Sequence, residues 1–194
     1  MRPLTRMVEA KALLGRLYEE TQSPEEKAKL LLAMDAFEFI FETGQTLDFD
    51  EYRQNEDMNA PPLAIASFGT REEAMAWLNA HPNPPDGAQV LIAGEYHRIA
   101  WFKEQGFRRL PPSPVLPFYL EDMARGGLPP PVATFNTLEE AKAWVDSQPE
   151  PPKQVFIQVA GEDYIVAYHY RLNLRALYPM SLAAKSEPEG DAGE

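Results

Sequence analysis

Residues 66–78 read Ala66-Ser67-Phe68-Gly69-Thr70-Arg71-Glu72-Glu73-Ala74-Met75-Ala76-Trp77-Leu78, and the pattern returns 67 positions later. The second copy reads Ala133-Thr134-Phe135-Asn136-Thr137-Leu138-Glu139-Glu140-Ala141-Lys142-Ala143-Trp144-Val145. Working outward, Pro82, Pro84 and Pro85 recur as Pro149, Pro151 and Pro152, and Ala93-Gly94-Glu95 recurs as Ala160-Gly161-Glu162. So many matches in one register mark a duplicated structural unit.

Within each copy the pattern reads strand, helix, strand, strand. In the first, residues 63–68 form a short strand and Thr70 caps a helix, with Glu73 in capping-box spacing. Ala74, Trp77 and Leu78 place that helix's apolar stripe on one face, and Pro82 ends it. Pro84-Pro85-Asp86-Gly87 is a rigid turn. Residues 90–93 form a strand, Gly94-Glu95 a hairpin turn, and residues 96–102 the returning strand. The second copy places the same elements at 132–135, 137–148, 155–160 and 164–170.

Upstream, residues 4–21 carry Leu4, Met7, Val8, Leu13, Leu14, Leu17 and Tyr18 at helical spacing. A second helix opens with Ser23 as N-cap, Pro24 in the first helical position and Glu26 closing a capping box. Its body holds Leu30, Leu31, Leu32, Met34, Phe37, Phe39, Ile40 and Phe41, and Gly44 supplies the stop. A helix apolar around so much of its circumference needs cover on more than one side. The first helix covers one side, and the repeats or a second subunit must cover another.

The expected architecture is α+β: an N-terminal helical hairpin followed by two tandem βαββ repeats, each a two-layer sheet-and-helix unit. The hairpin takes residues 1–45, an acidic linker 46–61 and the first repeat 62–110. A stiff proline-rich linker takes 111–131, with one helical turn over residues 118–123. The second repeat covers 132–180, and 181–194 is expected to be a disordered acidic tail. The two copies could join into one continuous sheet or stack as a pseudo-twofold pair, and the favoured arrangement has the helices on one side of two layers.

Composition narrows the function classes. The 194 residues are 44% hydrophobic and 25% charged, which describes an ordinary globular chain. There is no cysteine, so disulfides, thiolate metal sites and cysteine nucleophiles are excluded, in keeping with a reducing cytoplasm. The first residues lack the apolar run of a signal peptide, and no stretch has the length and apolarity of a membrane span. The formal charge of −12 would repel nucleic-acid phosphates and favours a partner protein with a basic surface.

No catalytic constellation, cofactor motif or metal-ligand spacing stands out. Glu72–Glu73 and Glu139–Glu140 lie in first helical turns, where negative charge suits the helix dipole. The three histidines, His81, His97 and His169, lack metal-ligand spacing, and the duplication keeps neither His97 nor His169. His169, between Tyr168 and Tyr170, reads as part of an aromatic strip at a sheet edge. Trp77 and Trp144 read as core residues facing the sheet. Gly94 and Gly161 belong to hairpins rather than phosphate loops, and there is no GxSxG elbow.

The surplus lies in aromatics on the last strands, where alternation turns only half inward. Tyr164, Tyr168, Tyr170 and Arg171 are of the types that dominate interface hot spots, and are the candidate partner anchors. Asp48, Asp50 and Glu51 are the candidate steering charges.

The Phe-x-Thr-x-Glu-Glu-Ala-x-x-Trp opening and the Ala-Gly-Glu hairpin resemble small bacterial proteins of the myxobacterial kind, some labelled phage-head-like. The resemblance covers residues 62–180, implies a bacterial cytoplasmic setting and carries over no catalytic residue.

The expectation is a non-enzymatic acidic protein-binding module, an inhibitor or immunity-type regulator. It would hold a toxin, protease or secreted effector in a cytoplasmic complex. A self-associating assembly component, joined through the N-terminal helices, is the alternative. An enzyme with a cryptic site near His169 comes third.

Overall fold

The structure, a computed structural model, describes residues 3–56, 59–148 and 154–183, with the side chains of residues 3–5 left aside. The chain forms two compact units, Met1–Met58 and Asn59–Glu194. Among the described residues no helix is long and apolar enough to cross a membrane.

The first unit holds helices α1 (Pro3–Glu20), α2 (Pro24–Glu42) and α3 (Thr46–Glu56). Ser23 caps α2, its side chain accepting from Glu26 N at 3.3 Å, with Pro24 opening the helix. The capping box is half made, because the Glu26 carboxylate accepts from the Thr21 hydroxyl instead. Gly44, at φ +72°, ends α2 in a conformation open to glycine without a Cβ penalty.

The acidic linker expected over 46–61 is a correction. Residues 46–56 are helical, held by Phe49 edge-on to Phe37 at 6.4 Å and stacked on Tyr52 at 6.5 Å. Asp48 in its first turn and Arg53 in its last complement the helix dipole.

The second unit contains both repeats. The first has β1 (Ala64–Phe68), α4 (Arg71–Ala80), β2 (Gln89–Ile92), β3 (Glu95–Arg98), β4 (Ala100–Phe102) and, after a 3-10 turn, β5 (Phe107–Arg109). Between the repeats lies α5 (Val115–Ala124). The second has β6 (Thr134–Phe135), α6 (Leu138–Ser147), β7 (Gln154–Val159), β8 (Glu162–His169) and, after a 3-10 turn, β9 (Leu174–Pro179). β1 and β2 pair in parallel, β2 and β3 antiparallel, and β4 pairs with β5 as a separate ribbon. The second repeat keeps its return strand unbroken, giving one sheet in the order β6-β7-β8-β9. Both copies therefore carry a last strand, β5 or β9, beyond the expected βαββ pattern. Pro149, Pro151 and Pro152 lie outside the described residues.

The duplication is visible in the geometry. Thr70 and Thr137 each cap their helix, accepting from Glu73 N and Glu140 N at 3.2 Å. Phe68 meets Trp77, and Phe135 meets Trp144, with 5.5 Å between ring centroids in both repeats. The hairpin turn falls one position earlier than expected: Ala93-Gly94 has φ +51° and +84°, and Ala160-Gly161 has +52° and +86°. Two positive φ angles in a two-residue loop match the right-handed twist of the flanking strands.

Three apolar clusters organise the unit. α4 packs on its sheet through Ala74, Leu78, Val90, Ile92, Ile99 and Leu110. α6 does so through Ala141, Val145, Ile157, Val159 and Val166. The third cluster joins Ala64, Leu91 and Tyr96 of the first repeat, Leu116 and Leu120 of α5, and Ile165, Ala167 and Tyr178 of the second.

This corrects three expectations. The repeat helices do not share one side, because each sheet buries one face under its own helix and the other in the shared cluster. The proline-rich linker contributes a ten-residue helix to that cluster, Pro117 falling in its first turn where a missing N–H is tolerated. Met180 and Ala183 also pack against it, so ordered chain continues into the expected tail. Residues 184–194 lie outside the described residues.

Candidate functional site

The helical unit leaves much of its apolar surface uncovered. α2 has no buried residue along its 19 positions. Leu30, Ala33, Met34, Phe37 and Ile40 form its half-buried inner face, while Leu31, Leu32, Phe39 and Phe41 are exposed. Leu32 and Phe39 reach 71% and 62% exposure, and Val8, Leu13 and Leu17 of α1 and Leu47 of α3 add to the same uncovered set. An apolar groove beside α1 and α2 is lined by Met7, Val8, Phe37 and Phe41, with Lys11 and Glu38 paired at its edge.

The steering charges lie on α3. Asp50 is half-buried, accepts from Gln54 Nε2 at 2.7 Å, and lines a cavity of about 90 Å³ with Phe37 and Phe49. Asp48 and Glu51 are exposed. The candidate anchors lie in the other compact unit, so the structure groups the seven candidates into two sets.

Tyr164 and Tyr168 share a face of β8 with Val166, the face turned toward α6. Tyr164 packs on the α6 cluster, and its hydroxyl donates to Glu162 at 3.4 Å. The Tyr168 hydroxyl donates to Asn173 Oδ1 at 3.0 Å, and the Arg175 guanidinium lies 5.6 Å over its ring. Tyr170 is half-buried and Arg171 exposed, both in the 3-10 turn between β8 and β9. The surplus tyrosines are thus largely engaged by their own repeat, and Arg171 is the most open of the four.

His169 is a correction: it is 3% exposed, not part of a surface strip. It follows Ile165 and Ala167 on the inward face of β8, among the rings of Tyr96 and Tyr178, 5.9 and 6.1 Å away between centroids. Burial pushes its imidazole down to about 4, so the ring is neutral at physiological pH. Burial likewise holds the hydroxyls of Tyr96, Tyr119 and Tyr178 above the ordinary tyrosine range. Tyr96 donates to Pro62 O at 2.8 Å, and Tyr119 donates to Asn59 O at 3.1 Å while accepting from Gln154. These hydroxyls tie the strands and α5 to the segment ahead of β1.

The other histidines bond to nearby backbone carbonyls. His81 Nδ1 donates to Trp77 O at 2.8 Å, and His97 Nδ1 donates to Glu95 O at 3.2 Å. The carboxylate pairs act at helix starts: Glu73 accepts from Gly69 N and Thr70 N, and Glu140 accepts from Asn136 N. Among the described residues no group of three or more potential ligands is placed to hold a metal ion. Comparison with family models, curated proteins and solved structures finds no match, so the functional reading rests on the chain's own geometry.

Proposed function

We propose that the protein is a non-enzymatic binding module that holds a partner protein with a basic surface, acting as an inhibitor or immunity-type regulator. The observation that carries this reading is the bare apolar surface of α1 and α2, above all Leu32 and Phe39. Leu32 and Phe39 lie two turns apart on one side of α2, and apolar side chains so exposed support an interaction site there. Charge selects the partner. Residues 1–58 hold seven basic and thirteen acidic side chains, a net −6, which speeds capture of a basic protein and opposes approach of a second copy. Asp48 and Glu51 on α3 add exposed negative charge to that unit, and Arg171 with its neighbouring tyrosines is a secondary anchor. The absence of cysteine supports a cytoplasmic setting.

Self-association is the second reading, since the same helices would supply a dimer interface. The test is affinity capture from the native cell with the wild-type chain and with a Leu32→Ser, Phe39→Ser double variant, alongside light scattering over a concentration series. The expected result is one stoichiometric basic protein, lost with the variant, from a chain that is monomeric alone. Recovery of no stoichiometric protein overturns the proposal, and concentration-dependent dimers abolished by the variant establish the second reading instead.

A further inference from the structure

Arg108 and Arg175 occupy the same position in the two repeats, 67 residues apart, and they do different things. Arg108, in β5, reaches across to the C-terminal end of α4, where Nη1 donates to Leu78 O and Asn79 O, both at 2.9 Å. That side chain bars the space between the last strand and the helix. The counterparts of Leu78 and Asn79 are Val145 and Asp146 on α6. Arg175 makes no such bar. Its guanidinium lies over the Tyr168 ring, and its Nε is buried without a hydrogen-bond partner.

The consequence is a groove of about 630 Å³ in the second repeat. All six residues of β9 line it, with Lys142, Val145 and Asp146 of α6 on one wall and the turn at Gly94-Glu95 on another. β9 is the edge strand of its sheet, and a groove lined by consecutive residues of both strand faces exposes the strand's edge. Such an edge carries unpaired backbone N–H and C=O groups, a template for another strand.

We propose that this groove receives an extended peptide from a partner protein, which adds to the sheet as a fifth strand beside β9 and offers a carboxylate side chain to Arg175. Backbone pairing supplies the affinity and the side chains the choice of sequence. The residue opposite Arg175 shares its face, where a carboxylate meets the guanidinium, whose Nε has no hydrogen-bond partner, in a charge-assisted bond. Two positions along, the peptide residue faces Leu177 and is apolar. On the other face Leu174, Ala176 and Tyr178 call for apolar residues as well. The groove charges, Arg175 and Lys142 against Asp146 and Glu95, balance, so a near-neutral peptide whose one acidic residue lies at Arg175 fits best. This groove is lined only by residues of the second unit.

The test uses the full chain and an array of acetylated, amidated octapeptides of strand-forming residues. These carry Asp or Glu at one position and an apolar residue two positions on. The tightest binder is then measured in solution. The expected result is that Glu→Gln in the peptide and Arg175→Gln in the protein each weaken binding about tenfold or more. N-methylation of alternate peptide amides should abolish binding, and bound peptide should slow hydrogen exchange across β9. The peptide-side changes leave the protein's folding untouched. An array with no binder above scrambled controls overturns the proposal, and so does a binder indifferent to N-methylation.

Discussion

His169 Nε2 lies 3.0 Å from the Tyr178 hydroxyl in the core between the two sheets, and no polar atom meets His169 Nδ1. Protonating the ring would bury a charge with one N–H unsatisfied, which is why the imidazole stays neutral down to about pH 4. In the unfolded chain it titrates near 6.5, so between those values the unfolded state binds more protons. Stability therefore falls as pH drops from 6.5 toward 4, by about 3 kcal/mol from this group. His169→Phe, which installs the residue found at the equivalent position Phe102, should remove that part of the slope. Urea melts of both proteins at pH 7, 5.5 and 4.5 check this, and parallel slopes would refute it.

Leu120 is fully buried in the cluster that joins the repeats, whereas Phe118, two residues away on α5, is 58% exposed. Leu120→Ala should cost about 2–4 kcal/mol and Phe118→Ala about 1 kcal/mol or less. Chemical denaturation would show both, and equal costs would mean that α5 is only a spacer.

Ala93 and Ala160 adopt left-handed backbone angles that cost an alanine about 1 kcal/mol, and both are exposed. Asparagine tolerates that region better. Ala93→Asn and Ala160→Asn should each raise stability by about 0.5 kcal/mol, read as an upward shift in thermal midpoint.

Thr70 and Thr137 each satisfy one orphan N–H at the start of a helix. Replacing either with alanine should cost about 1 kcal/mol. Glu72→Gln and Glu139→Gln should shift stability by no more than about 0.5 kcal/mol, because each loses only a favourable interaction with the helix dipole. A calorimetric series on the four variants separates caps from dipole contributions.

Legibility followed the range of the interactions. The helical hairpin and the two repeats were plain from capping residues, periodicity and the 67-residue register, because each signal sits within a few positions of what it controls. α3 was missed because Phe49 and Tyr52 give it too short a periodic stripe, and its acidic residues resemble a solvated linker. α5 reads from sequence as only one turn over 118–123, because prolines surround it, although Pro114 and Pro117 occupy positions where a helix start accepts them. Of the candidate site residues, Asp48 and Glu51 are exposed, while Tyr164 and Tyr168 pack or bond within their own repeat. No local signal could have reported the hydrogen bond from Tyr168 to Asn173 across the β8–β9 connection.

The chain by itself dictated the order of elements, the twofold repetition and the predominance of negative charge, since these depend on neighbours along the backbone and on composition. Tertiary structure alone decided that the sheets meet face to face, that His169 goes inward, and that Arg108 bars a gap which Arg175 leaves open. Those outcomes depend on which surfaces meet across long stretches of chain, and an arginine one residue into the last strand, as at Arg108 and Arg175, is compatible with either arrangement until packing selects one.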